Sequence, residues 1–278
     1  MKYTLVTGGN AGIGKATATA LVQKGHNVII ACRSEEKAQQ AVADIKTTTN
    51  KDAIDYLICD LSSFASIREC VAAYRQQVGQ LDVLINNAGL ITDQLQFTED
   101  GLEMQIGVNH FGHFLLTQQL MDVLQQAPEA RIINISSAAH YNGKINFDSF
   151  KGEIGADKYS GFVAYAQSKL ANVLFTKELA KRYPSVCSHS LHPGVVGTAL
   201  ANKHGNTKWW TKIWKFLKPL MLSTASGAKT SVYLATSPAV LETNGKYFDK
   251  QKEKKAAPLA NDAALAQRFW EVSEALTS

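Results

Sequence analysis

The chain has 278 residues, 45% of them apolar, which is enough to fill the core of one large α/β domain or two small ones. Its net charge of +5 comes partly from two local basic clusters, and such weak, local charge does not predict nucleic-acid binding. The four cysteines show neither metal-ligand spacing nor a disulfide framework, so we expect a reducing compartment. With no signal peptide, membrane span, linker or repeat apparent, we expect one cytoplasmic domain over residues 1–278.

A glycine-rich turn follows the first predicted strand, Tyr3–Thr7, and precedes a predicted helix that runs to Lys24. Glycines in such a turn let the backbone approach a pyrophosphate, and the helix N-terminus supplies N–H donors and partial positive charge. Gly8, Gly12 and Gly14 have the spacing G-x-x-x-G-x-G rather than G-x-G-x-x-G. We therefore predict a dinucleotide-binding turn, with an ordinary tight turn as the alternative.

The second predicted strand, Asn27–Cys32, is almost entirely apolar, as a buried parallel strand should be. At its end an acidic residue would bond the ribose of NAD(H), whereas a basic one accommodates the 2′-phosphate of NADP(H). Arg33 stands there, just before a predicted helix, where a cation opposes the helix dipole unless an anion is bound. We predict a preference for NADP(H) over NAD(H), with Arg33 as discriminator and Ser34 and Asn10 as minor contacts. A solvated surface arginine is the alternative.

The next two predicted strands also end in polar or small residues. Ile54–Cys59 is followed by Asp60, which fits either a cap of the next helix or an acceptor for an adenine amino group. Leu81–Ile85 is followed by the run Asn86–Gly89. We expect its paired asparagines to tie neighbouring loops together, and its alanine and glycine to let a flat ring approach.

A helix is predicted from Gly101 to Leu124. It contains Asn109, although asparagine is a poor helix former. His110 and His113 are three residues apart, but the sequence offers no third metal ligand near them. We therefore expect packing or surface histidines and no metal site.

The fifth predicted strand, Arg131–Ser137, ends in two serines, and the carboxyl ends of parallel strands line the ligand crevice of open α/β sheets. Tyr165 and Lys169 follow on a predicted helix, where residues four apart share a face. A cation beside a phenol favours the phenolate and lowers its pKa from about 10 toward neutral, where acid–base catalysis is efficient. Taken alone, the pair is a weak signal that favours an exposed, solvated helix face, so the catalytic interpretation depends on the upstream motifs.

The C-terminal third continues with a sixth predicted strand, Ser188–His192, and then a turn that we expect to cover one face of a nicotinamide. The tryptophan-rich stretch 199–223 lies outside the regular alternation of strands and helices. We predict a substrate lid there; peripheral membrane contact through 209–221 and a helix docked on the domain's own core are the alternatives. A helix over 226–235, a strand over 245–248 and a closing helix over 261–276 complete the predicted elements.

With these motifs assembled, the chain resembles the short-chain dehydrogenase/reductase family over nearly its whole length, and most closely its retinol dehydrogenase-like branch. The stretches that carry the resemblance are Thr7-Gly8-x-x-x-Gly12-x-Gly14, Asn86-Asn87-Ala88-Gly89, Val108-Asn109-His110-Phe111-Gly112-His113-Phe114, Asn134-Ile135-Ser136-Ser137-Ala138-Ala139-His140, Tyr165-x-x-x-Lys169 and Pro193-Gly194. The resemblance implies a single-domain Rossmann fold, α/β in class, with a doubly wound parallel seven-stranded sheet in the order 3-2-1-4-5-6-7 and helices on both faces.

The resemblance also implies the roles of four catalytic residues. Tyr165 is the general acid/base at the substrate oxygen, and Lys169 lowers the pKa of Tyr165 and holds the nicotinamide ribose. Ser137, rather than Ser136, orients the substrate oxygen, and Asn109 supports a proton-relay water near Lys169. Together, motifs and resemblance predict these cofactor-binding residues: Gly8, Asn10, Gly12, Ile13, Gly14, Arg33, Ser34, Asp60, Leu61, Asn87, Ala88, Gly89, Tyr165, Lys169, Pro193, Gly194, Val196 and Thr198.

The implied activity is the NADP(H)-dependent interconversion of a carbonyl and an alcohol on a small apolar substrate, retinal-like or another aldehyde or ketone. Two alternatives stay open: a reductase of ring C=C bonds like the protochlorophyllide reductases, and a cofactor-binding regulator without turnover. We expect a possible homo-oligomer, no nucleic-acid partner and no membrane span.

Overall fold

The computed structural model describes residues 1–194 and 223–278. Seven parallel strands lie side by side in the order β3-β2-β1-β4-β5-β6-β7, as predicted, and an eighth strand pairs antiparallel with β7. The order reverses beside β1, which places the ligand crevice of such a sheet at the carboxyl ends of β1 and β4. The strands are β1 Tyr3–Thr7, β2 Asn27–Cys32, β3 Ile54–Ile58, β4 Val83–Asn86, β5 Arg131–Ile135, β6 Cys187–His192, β7 Lys246–Asp249 and β8 Lys252–Lys254.

Helices cover both faces of the sheet and enclose two hydrophobic layers. Because both faces are buried, β2 and β4 are nearly continuous apolar runs rather than alternating ones. One face carries α1 Gly12–Gln23, α2 Glu35–Thr49 and α8 Thr224–Thr236. The other face carries α3 Phe64–Gln77, α5 Gly112–Gln119, α7 Gly161–Arg182 and α9 Ala263–Thr277, with the short helices α4 Met104–Ile106 and α6 Met121–Leu124 beside α5.

The eighth strand corrects the predicted seven-stranded sheet. Lys250 and Gln251 both have positive φ, 51° and 63°, and reverse the chain between β7 and β8. Two-residue reversals of this kind are normally marked by Asn or Gly. Lysine and glutamine carry no such signal, so the hairpin was not predictable from the residue types.

The helix predicted over 101–124 is wrong in detail. It begins only at α4, where the Glu103 carboxylate accepts the N–H groups of Gln105 and Ile106, each at 2.9 Å. The segment Gly107–Phe111 then forms a π-helix before α5 continues. Single π-turns within α-helices concentrate at functional sites, and Asn109 lies at the centre of this one.

Short 3₁₀ helices fill several connections, at Ala138–Asn142, Phe147–Ser149, Pro238–Glu242 and Pro258–Asn261. In the parts of the chain that the structure describes, no helix combines the length and the apolar character needed to cross a membrane.

Candidate active site

The turn between β1 and α1 has the backbone geometry that its glycines require. Gly8 and Gly12 have positive φ, 64° and 57°. A Cβ on Gly14 would lie 2.4 Å from the Gly8 carbonyl oxygen and 2.5 Å from Asn87 Nδ2, so only glycine fits there. The preceding residue, Ala11, gives α1 no side-chain cap, and no acidic residue stands in the first turn. The N-terminal N–H groups of α1 therefore suit a bound anion, as a dinucleotide pyrophosphate requires.

Thr7 joins this turn to the loop after β4. Its hydroxyl oxygen accepts the backbone N–H groups of Asn87 and Ala88, each at 2.9 Å. In return, Asn87 Nδ2 donates to the Thr7 carbonyl at 2.7 Å. The predicted tie between neighbouring loops is thus made by Asn87, while the buried Asn86 bonds Thr117 and Asn134 instead.

The Asn109 side chain holds the loop that follows Gly89. Its Oδ1 accepts the Leu90 N–H at 2.8 Å, and its Nδ2 donates to the Leu90 carbonyl at 3.0 Å and to Ser168 Oγ at 3.0 Å. Ser168 Oγ in turn donates to the Tyr165 carbonyl at 2.8 Å. Asn109 therefore connects the loop after β4 to the turn of α7 that carries Tyr165.

The two serines after β5 have different surroundings. Ser136 is buried, and its hydroxyl donates to the Lys169 carbonyl at 2.7 Å, so it supports α7. Ser137 is half-buried, its hydroxyl accepts the Ala139 N–H at 3.2 Å, and it lies close enough to the Tyr165 phenol to lower the pKa of that group. Of the two serines, Ser137 is therefore the one whose side chain reaches the surroundings of Tyr165, as its predicted role requires.

Tyr165 and Lys169 lie one turn apart on α7, with Lys169 Nζ 5.5 Å from the centre of the Tyr165 ring. Lys169 is buried, and its Nζ donates to the Ile135 carbonyl at 3.2 Å. Burial lowers the pKa of Lys169 to about 8. Burial raises the pKa of Tyr165, and the hydrogen bond from Ser137 opposes that rise. The direction is opposite to the lowering expected from Lys169, because the cost of desolvating the phenolate dominates.

The residues predicted to contact the adenosine lie at the carboxyl ends of β2 and β3. Arg33 is exposed, and it forms no hydrogen bond or ion pair within residues 1–194 and 223–278. Ser34 caps α2 by accepting the Lys37 N–H at 3.4 Å. Asp60 does not cap α3, because that cap is Ser63; its Oδ1 accepts the N–H and hydroxyl of Ser62 instead.

The predicted site residues after β6 divide into two groups. Pro193 and Gly194 follow β6, and Gly194 has a φ of 87°. Val196, Thr198 and all of the predicted lid 199–223 except its last residue lie outside the described residues, so these predictions stay predictions.

The histidine pair and the four cysteines are all buried in this fold. His110 and His113 are both buried, His110 among aromatic rings and His113 between Thr7 and Asn109. All four cysteines are buried and free. Among the described residues, no group of three or more histidine, cysteine, aspartate or glutamate side chains is arranged to hold a metal ion.

Some residues that build the site were absent from the predicted set. Thr7 and Ser168 stand inside the recognised motifs, and a polar residue at the last position of a buried strand was the available signal for Thr7. Ser168 had no such signal, because its partner Asn109 is 59 residues away in the sequence.

Comparison with known proteins places the chain in a family. The model for the short chain dehydrogenase family matches residues 2–209. Retinol dehydrogenase 13 from Homo sapiens is 44% identical over 99% of this chain and 84% of the human protein, and retinol dehydrogenase 12 from Homo sapiens is 39% identical over 98% and 85%. The crystal structure of an uncharacterized protein from Mycobacterium paratuberculosis gives a TM-score of 0.79 at 30% identity, over 100% of this chain and 93% of that one. The chain therefore belongs to the short-chain dehydrogenase/reductase family, in its retinol dehydrogenase-like branch.

Proposed function

We propose that the protein is an NADP(H)-dependent oxidoreductase that interconverts a carbonyl and an alcohol on an apolar substrate, with Tyr165 as general acid/base. The observation that carries the proposal is the convergence of Ser137, Tyr165 and Lys169 beside a turn that suits a dinucleotide. Gly89 adds to this fit, since a Cβ there would come within 3.4 Å of Lys169 Nζ and 3.2 Å of Asn109 Oδ1. A flat ring can therefore approach these polar groups closely.

Each catalytic side chain has a task that its surroundings allow. When bound, the nicotinamide supplies or accepts the hydride. Ser137 donates a hydrogen bond to the substrate oxygen, and Tyr165 gives that oxygen a proton in reduction or takes one in oxidation. Lys169 places a positive charge beside Tyr165, which favours the phenolate after proton transfer. Asn109 holds the loop after β4 against the turn of α7 that carries Tyr165, through its hydrogen bonds to Leu90 and Ser168.

The preference for NADP(H) rests on Arg33. Its guanidinium is exposed at the end of β2 without an ion-pair partner in the described ranges, so it can meet a phosphate through two N–H donors. The helix dipole adds less than the sequence suggested, because Glu35 and Glu36 in the first turn of α2 already offset it.

Replacing Arg33 with Asp tests this preference. Hydrogen bonds to charged groups contribute ~1.5–3 kcal/mol each, so we expect the wild type to bind NADPH about 10- to 100-fold more tightly than NADH. Arg33→Asp should abolish the preference for NADPH over NADH, because a carboxylate repels the 2′-phosphate and accepts a hydrogen bond from a free 2′-hydroxyl. Lys24→Asp makes the same charge change at the far end of α1 and should leave the ratio intact. Titration by nucleotide fluorescence measures both; equal wild-type affinities, or an unchanged ratio in Arg33→Asp, contradict the assignment.

An apolar substrate is favoured by the names of the relatives and by the start of α7. Phe162 and Val163 stay exposed, 44% and 63%, within one turn of Tyr165. Large apolar side chains that remain exposed together often mark a binding surface.

A series of n-alkyl aldehydes, with retinal beside it, tests the substrate class. Burying one CH₂ contributes ~0.8 kcal/mol, so kcat/KM should rise by up to about fourfold per methylene until the pocket is filled. A kcat/KM that does not change with the chain length of the aldehyde contradicts an apolar pocket. Product analysis separates the alternatives: reduction of a ring C=C bond with the carbonyl left intact indicates the protochlorophyllide reductase type, and tight cofactor binding without turnover on any substrate indicates a regulator.

A further inference from the structure

Two buried histidines follow closely on residues of the proposed catalytic set. His113 stands four residues after Asn109, and His140 stands three after Ser137; their side chains are 1% and 0% exposed. Each imidazole bonds the main-chain carbonyl of the residue that it follows. His113 Nδ1 lies 3.1 Å from the Asn109 oxygen, and His140 Nδ1 lies 2.6 Å from the Ser137 oxygen.

The partners of His113 determine its tautomer. A carbonyl oxygen only accepts, so Nδ1 of His113 carries the proton that bonds Asn109. Its Nε2 lies 2.8 Å from Thr7 Oγ1, which already accepts the N–H groups of Asn87 and Ala88. The Thr7 hydroxyl therefore donates to Nε2. In this way His113 links the end of β1, beside the cofactor turn, to the π-helix that carries Asn109.

His140 has the same tautomer as His113, with Nδ1 as donor and Nε2 as acceptor. Its Nδ1 donates to the Ser137 carbonyl, and its Nε2 accepts the backbone N–H of Ala257 at 3.1 Å. The neighbouring Tyr141 hydroxyl donates to the Lys255 carbonyl at 2.7 Å. His140 thus links the turn after β5 to the segment between β8 and α9.

Both imidazoles are neutral near pH 7, as this bonding requires. Burial lowers the pKa of His113 to about 4, and the positive charge of Lys169 adds to that lowering. Burial also lowers the pKa of His140, with a smaller contribution from His192. A protonated Nε2 would point an N–H at the Ala257 N–H and lose that bond.

We propose that His113 and His140 are positioning residues, each held as the Nδ1–H tautomer, that fix the main chain of Asn109 and Ser137 against distant segments. The proposal rests on the proposed roles of Asn109 and Ser137. Because each imidazole bonds two elements at once, losing it frees the catalytic main chain and also leaves a buried donor or carbonyl without that partner.

His110 provides a matched contrast. It is equally buried and precedes His113 by one turn, but it bonds no residue of the proposed catalytic set. Ser273 Oγ donates to the Phe269 carbonyl at 2.7 Å, so His110 Nε2, 3.0 Å away, donates to Ser273 Oγ. His110 is therefore expected as the opposite tautomer, Nε2–H.

Imidazole nitrogen NMR tests the tautomers without reference to activity. Spectra of ¹⁵N-histidine-labelled protein, assigned with single His→Phe variants, should show His113 and His140 neutral with Nδ1 protonated at pH 7, and His110 with Nε2 protonated. A charged or Nε2–H state at His113 or His140 overturns the proposal. This result stands whether or not the proposed reaction is found.

Kinetics test the positioning. We expect His113→Phe, His140→Phe and His110→Phe all to lower the melting temperature, but only the first two to lower kcat, by about tenfold. His113→Asn and His140→Asn place an amide N–H near the position of Nδ1 and should recover most of kcat. Equal kcat loss in His110→Phe, or no recovery by asparagine, contradicts the proposal. If a Phe variant does not fold, the Asn variants and the wild-type spectra still decide the question.

Discussion

Tyr165→Phe should lower kcat by about 10²–10⁴-fold, the usual contribution of a general acid or base, while leaving the cofactor Kd almost unchanged. The ring packs as before, but it has no proton to exchange with the substrate oxygen. Steady-state kinetics with the best aldehyde and nucleotide titration of the same preparation measure the two quantities.

Tyr159→Phe is the matched control. The Tyr159 hydroxyl donates to Glu103 Oε1 at 2.8 Å and accepts from Gln105 Nε2 at 2.7 Å, so it belongs to a buried network before α7. Its loss should cost about 1 kcal/mol of stability and leave kcat unchanged. Activity near the wild-type level in Tyr165→Phe, or an equal loss in Tyr159→Phe, would contradict the role given to Tyr165.

Lys169→Met should lose roughly 10²-fold or more in kcat and yet be more stable than the wild type at pH 7. A lysine pKa of about 8, against an ordinary value of 10.5, means that burial costs the charged form ~3 kcal/mol. Methionine removes that cost, and the Ile135 carbonyl keeps a second donor, Asn172 Nδ2 at 3.0 Å. Removing the buried charge therefore leaves no polar group unpaired.

The lowered pKa of Lys169 determines how the stability difference between Lys169→Met and the wild type changes with pH. Below pH 8 Lys169 is charged in both the folded and the unfolded chain, so the whole cost is present. Between about pH 8 and about pH 10.5 the folded protein binds fewer protons, and the wild type gains stability relative to Lys169→Met. Urea unfolding across this range should show the gap closing as the pH rises. The control variant Lys177→Met, two turns along α7, should keep full activity. A stability difference between Lys169→Met and the wild type that does not change with pH would contradict the cost assigned to the buried charge.

Much of this fold follows from local sequence. The segments Tyr3–Thr7 and Asn27–Cys32 form strands with the predicted bounds, since a strand buried on both faces favours mainly apolar residues. The glycine turn after β1 follows equally directly, because its positive φ values and the close approach at Gly14 exclude other residues. The order of the motifs along the chain then predicted that the polar residues following the strands lie together at the carboxyl ends of those strands.

Other features exist only once distant segments meet. The second hydrogen-bond partner of His113 is Thr7, 106 residues away, and that of His140 is Ala257, 117 residues away. The rise in the pKa of Tyr165 reflects how deeply α7 is buried, which a helical spacing does not contain. Local sequence therefore indicates which residue types follow each strand, because strand patterns and glycine turns are local. Hydrogen-bond partners and desolvation arise only when distant segments pack together, and they set the protonation and the positions of those side chains.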